Sequence, residues 1–207
     1  MFTETLSTNA KDALALLGKS HLMDKACLGG GSACALQLGH RISLDLDFFT
    51  PEEFDTKELI KSLQRIGEFK VDRQSWGTIL GTLEGIRFSI FSYQYRVLYP
   101  YKSIFDINIL DLRDIAAMKI DAIGARGLRR DFIDLYFMCQ QDLSLPKAIS
   151  FYKRKYGKVS SNIMHIQKSL VYFVDTEDSQ MPKMLKRVSW EKVKRYFEEE
   201  VKKIAGR

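Results

Sequence analysis

Asp45 and Asp47 stand one residue apart in an apolar run, ISLDLDFF at residues 42–49. On a strand, alternate side chains share a face, so the two carboxylates project together, about 7 Å apart along the backbone. Two acids on a partly buried strand repel each other and lose hydration. A hard divalent cation, Mg²⁺ or Mn²⁺, removes both problems, and such ions are held by one or two carboxylates together with substrate phosphates. An acidic strand edge facing solvent would show the same short pattern.

Upstream lies Gly29-Gly30-Gly31-Ser32, between a strand-like run and a helix start. Glycine lets backbone N–H groups approach a ligand closely, and a helix N-terminus adds positive potential. Ser32 could cap that helix or donate to a phosphate oxygen. Taken alone, the stretch reads equally well as a tight turn that needs a positive φ. The GK[ST] ending of a P-loop and the G-x-G-x-x-G fingerprint are both absent. Turn, helix and acidic strand together form a unit that can bring a triphosphate and its metal to one place.

Further along, Arg41 could grip a phosphate or pair with Asp45 or Asp47, and His40 suits a helix C-terminus. Lys119 lies at the edge of an apolar helix face formed by Ile115, Met118 and Ala122. It could reach a β- or γ-phosphate as a point charge, or snorkel to solvent. Asp131 and Asp134 are neighbours on one helix face. Asp134 sits among Phe132, Ile133, Leu135 and Tyr136, where an acid needs a partner, with Lys119 or Arg130 at hand.

The elements that must position these residues follow from periodicity and punctuation. Residues 8–18 repeat apolar positions at helical spacing and stop at Gly18. A short buried strand is expected at 26–29, and a helix from Ser32. Residues 43–49 form a strand with Leu44, Leu46 and Phe48 facing a core. Thr50–Pro51 ends it and starts a helix at 51 with acids in the first turn. FKVDRQSW, TILGTLEG and IRFSIFSYQ suggest an antiparallel extension. Helices follow at 111–124 and 131–141, and the chain reads as helical beyond Pro146. An α/β core over 1–110 and a helical part over 111–207 are expected.

Composition narrows the class. The chain has 207 residues, 45% hydrophobic and 28% charged, which supports a real core and argues against global disorder. No apolar run reaches the roughly 18 residues needed to span a bilayer, and the N-terminus does not read as a secretory signal, so a cytoplasmic location with no membrane partner is expected. Three cysteines without C-x-x-C spacing read as reduced core residues, and three scattered histidines argue against a histidine metal site. The net charge of +6 is weighted toward residues 146–207, in runs such as KAISFYKRKYGK and WEKVKRYFEEEVKKIAGR. These runs are either solvated helix faces or a basic surface for a phosphate backbone.

GGGSACALQLGHRISLDLDFF (29–49), DLRDIAAMKIDAIGARGLRRDFIDLYFM (111–138) and, more weakly, SLVYFVDTEDSQMPKML (169–185) resemble the AbiEii/AbiGii toxin family of nucleotidyltransferases, found in abortive-infection and type IV toxin–antitoxin systems and related to the MenT toxins. The family often has GGT where this chain has GGS at 30–32. The resemblance implies an α/β (α+β) nucleotidyltransferase-like mixed sheet with flanking helices, followed by a helical C-terminal part that contributes to the active-site cleft. It implies Mg²⁺- or Mn²⁺-dependent transfer of a nucleoside monophosphate from an NTP to RNA, at the acceptor end of tRNA, with release of pyrophosphate and a cognate antitoxin as partner. By position, Asp45, Asp47 and Asp134 would be catalytic, Asp45 and Asp47 would hold metal, and Gly30, Gly31, Ser32, Arg41 and Lys119 would bind nucleotide. Many nucleotidyltransferases carry a third carboxylate on a later strand; here the matching strand, GIRFSIFSY, has Ser89. That departure leaves room for a nucleotide- or RNA-binding module without turnover, and the same core chemistry would serve a small-molecule hydroxyl.

Overall fold

A computed structural model describes residues 1–157 and 163–206. They gather into two compact units, Met1–Asp111 and Leu112–Arg207.

The first unit is built on a seven-stranded mixed sheet in the order β3-β4-β5-β2-β1-β7-β6. Its strands are β1 (Cys27–Leu28), β2 (Asp45–Thr50), β3 (Phe69–Ser75), β4 (Thr78–Leu83), β5 (Ile86–Ser92), β6 (Lys102–Ile104) and β7 (Ile107–Ile109). The central strand β2 runs parallel to β5 and antiparallel to β1. The run from 69 to 92 does form the expected antiparallel meander. Three helices accompany the sheet: α1 (Thr8–Ser20), α2 (Gly30–Leu38) and α3 (Thr56–Ile66). Side chains on β2 and β5 alternate cleanly. Leu46, Phe48, Phe88 and Ile90 are buried, whereas Asp45, Asp47, Phe49, Ser89 and Phe91 are half-buried and Arg87 is exposed. One face therefore closes the core and the other stays partly open.

Three boundaries differ from the expectation. Leu44 precedes β2 and is exposed rather than inward-facing. The helix after β2 starts at Thr56, not at 51, because Asp55 caps it by accepting from the N–H groups of Lys57 and Glu58. Two adjacent backbone donors outweigh the general preference for proline in a first turn. Helix α2 starts at Gly30, which leaves Ser32 in its first turn instead of at its cap.

The second unit is helical: α4 (Leu112–Ala125), α5 (Arg129–Cys139), α6 (Leu145–Tyr156), α7 (Ile163–Ser169) and α8 (Trp190–Ala205). Helix α4 packs on α5, α6 and α7, and α5 packs on α8. Phe132 anchors an aromatic cluster with Phe173, Trp190 and Phe197, at centroid distances of 5.3–5.9 Å. Among the described residues no helix is long and apolar enough to cross a membrane.

Candidate active site

The glycine bend and the acidic strand meet. The Gly29 N–H donates to the Asp47 carbonyl at 2.8 Å, which hooks the end of β1 onto β2. Gly30 then turns with φ of +60°, and a β-carbon there would lie 2.7 Å from Asp47 Oδ2. Only glycine fits both the left-handed backbone and this approach. Gly30 opens α2, so the N–H groups of its first turn have no acceptor within the helix. Gly30, the first residue of that turn, lies directly against the Asp47 carboxylate.

Ser32 is buried and its hydroxyl donates to the Asp45 carbonyl. It ties α2 to the start of β2 and does not cap the helix. Arg41 is also buried. Its Nη1 donates to the Ile42 carbonyl at 3.0 Å, and its Nη2 would lie 2.5 Å from a β-carbon on Gly31. Gly31 thus lets the Arg41 guanidinium come up to the bend, so Gly30, Gly31, Ser32, Arg41, Asp45 and Asp47 all lie around one turn. His40 is fully buried next to Arg41.

Asp45 and Asp47 are both half-buried on the open face. Across the parallel ladder, Asp45 stands opposite Arg87 and Asp47 opposite Ser89. Arg87 Nε lies 2.7 Å from Asp45 Oδ1. Of the two roles open to Arg41 in the sequence, pairing with Asp45 is taken by Arg87. Its signal was present two residues before Ser89, on the same strand face. The register also places Ser89 at the position opposite Asp47 where a third carboxylate was sought.

The donor set fits a hard divalent ion. Two carboxylates share a strand face, and the missing side chain of Gly30 gives the Asp47 carboxylate room to sit against the bend.

In the helical unit, Lys119 Nζ lies 2.7 Å from Asp131 Oδ1 and 2.7 Å from Asp134 Oδ2, with both carboxylates fully buried. Arg126 Nε adds a contact to Asp131 at 3.3 Å. Lys119 is therefore neither a snorkelling surface lysine nor at a solvated edge; it bridges two acids from α5. Lys155 and Asp114 form a second ion pair at 2.8 Å, with neither side chain exposed. In the sequence, Lys155 is one of several cations in the run KAISFYKRKYGK, and nothing local singles out Asp114 as its partner. Elsewhere on the basic C-terminal segment, Lys194 pairs with Glu177 and Glu191, and Lys203 with Glu200.

A mixed sheet with an acid pair beside a glycine-started helix is the architecture of a nucleotidyltransferase, and comparison with known proteins agrees. The chain belongs to the family described as nucleotidyl transferase AbiEii toxin, type IV toxin–antitoxin system, whose model matches residues 12–203. It is 33% identical over 202 residues to an uncharacterised protein of Aquifex aeolicus, covering 95% of this chain and 96% of that one. The fold is similar to MenT4, a nucleotidyltransferase toxin of Mycobacterium tuberculosis, at a TM-score of 0.57 and 16% identity, covering 95% of this chain and 86% of that one. It is similar also to a nucleotidyltransferase structure from Helicobacter pylori, at a TM-score of 0.58 and 14% identity, covering 96% and 92%. The chain is a nucleotidyltransferase of the toxin–antitoxin class.

Proposed function

We propose that this enzyme moves a nucleoside monophosphate from an NTP to a hydroxyl of RNA, at the acceptor end of tRNA, and that this transfer blocks translation in the cytoplasm until a separately encoded antitoxin relieves it. The observation that supports the reading is the approach of Gly30 to the Asp47 carboxylate, because a helix start that would hold phosphate then adjoins an acid that would hold metal.

In this reading the β- and γ-phosphates rest on the N–H groups that open α2, with the Arg41 guanidinium alongside. Asp45 and Asp47 hold Mg²⁺ or Mn²⁺, which when bound neutralises the acids and stabilises charge developing on the transferred phosphoryl group. Arg87, 2.7 Å from Asp45 Oδ1, orients that carboxylate on the open face. The acceptor oxygen attacks the α-phosphorus in line, the bond to the bridging oxygen breaks, and pyrophosphate leaves. By the family resemblance, Asp134, 2.7 Å from Lys119 Nζ, is assigned the proton of the acceptor hydroxyl, and Lys119 the nucleotide contact.

Incubation with total RNA and four separately labelled NTPs tests this directly. Label from one NTP should appear at the 3′ end of tRNA-sized RNA. Absence of labelled RNA with every NTP, alongside transfer to a small hydroxyl compound, would replace the acceptor. Acceptor binding that falls steeply with salt supports a polyanion, since each phosphate contact releases counterions.

A further inference from the structure

The open sheet face does not end at the acids. Asp45, Asp47 and Phe49 follow one another on β2, and their register partners on β5 are Arg87, Ser89 and Phe91. Phe49 and Phe91 stack at 5.5 Å with 27° between their planes. Tyr93, whose N–H donates to the Thr50 carbonyl, sets its ring edge-on to Phe49 at 5.2 Å, and Tyr95 follows at 5.0 Å. All four rings are half-buried, whereas Phe48 and Phe88 on the other face are sealed in the core.

An aromatic strip left partly in water gives up burial that the same rings would gain in a core. Here its position gives it a use. Phe49 is one two-residue step beyond Asp47, about 7 Å along the strand. It also adjoins the bend, since a β-carbon on Gly29 would lie 2.7 Å from its ring. With phosphates at the bend and the transferred phosphoryl group at the acids, the remaining part of an NTP is the nucleoside. A ribose spans the gap from the acids to the rings, and every base presents a π-face for stacking.

We propose that Phe91 and Tyr93, supported by Phe49, form the subsite that stacks the base of the incoming nucleoside triphosphate. The proposal rests on the nucleotidyl-transfer reading above and adds the residues that grip the base. The occupant is the donor nucleotide rather than the RNA, because the strip is continuous with both the glycine bend and the acid pair on one face.

The test compares binding of the preferred NTP with binding of inorganic tripolyphosphate, which has phosphates but no base, to the full chain. Tyr93→Leu and Phe91→Leu keep apolar bulk and remove the π-face, and Tyr93→Trp restores it. The expected result is an NTP affinity lowered about tenfold in each leucine variant, unchanged tripolyphosphate affinity, and recovery in Tyr93→Trp. Equal weakening of both probes, no change in either, or a change confined to the RNA acceptor would each overturn the assignment. Nucleotide binding by the wild type without any pyrophosphate release would instead sink the transfer reading and leave the stacking result to stand by itself. Thermal melts of each variant separate loss of the ring from loss of the fold.

Discussion

Gly30 stands so close to Asp47 that a β-carbon at its position would lie 2.7 Å from Oδ2. The bend, the start of α2 and the acidic strand are therefore one steric unit. Gly30→Ala should abolish most nucleotidyl transfer. It introduces strain at a left-handed φ, on the order of 1 kcal/mol, and pushes Asp47 from its place. Thermal melting alongside a labelled-NTP assay checks this: activity should fall far more than stability. A variant that loses both in proportion would reduce Gly30 to a folding residue.

Lys155 and Asp114 should matter to stability and not to chemistry. Both are fully buried and 2.8 Å apart. Lys155→Ala removes the cation 2.8 Å from the buried Asp114 carboxylate and should cost about 3–5 kcal/mol. The double variant Lys155→Met, Asp114→Leu should recover much of that loss, because an apolar pair of similar volume removes the desolvation penalty. Urea denaturation of the single and double variants measures it. Equal destabilisation in both would contradict the account.

Cys139 should be inert in the folded protein. Burial pushes its thiol up to about 12, against a small opposing effect of the hydrogen bond with Tyr196. The folded state therefore holds the thiol proton more tightly than the unfolded chain does. This contribution is fully present below about pH 9 and is lost as pH climbs from about 9 to about 12. Cys27 and Cys34 are buried and Cys139 is half-buried with a raised thiol, so a thiol reagent at pH 8 should label no cysteine rapidly until denaturant is added. Rapid labelling of Cys139 in the native protein would show its environment to be different.

The acid pair and the glycine bend were legible because their spacing is chemical: i, i+2 on a strand and a glycine run before a helix. Alternation along β2 and β5 was legible for the same reason. What failed were contacts made by long-range register. Arg87 meets Asp45 only because β5 pairs in parallel with β2, a pairing that no local pattern announces. Lys155 reads as one cation of a solvated run because lysine is usually exposed, and its burial depends on an acid 41 residues away in sequence; the pairing of Lys119 with Asp134 was among the readings open, but its bond to Asp131 was not. The helix start at Thr56 was hidden by Pro51, whose local preference was overridden by the two hydrogen bonds to Asp55. Of the basic C-terminal runs, Lys194 and Lys203 serve ion pairs with nearby glutamates.

The most direct measurement of the central claim is pyrophosphate release by Asp47→Asn and Asp45→Asn beside the wild type, with Mn²⁺ binding followed on the same samples. Each amide keeps the shape of the side chain and removes one charge. The account expects unchanged melting for Asp47→Asn, weaker Mn²⁺ binding in both, and release slowed on the order of a thousandfold, the worth of several kcal/mol of charge stabilisation in the transition state. Wild-type rates of release from both variants would contradict it.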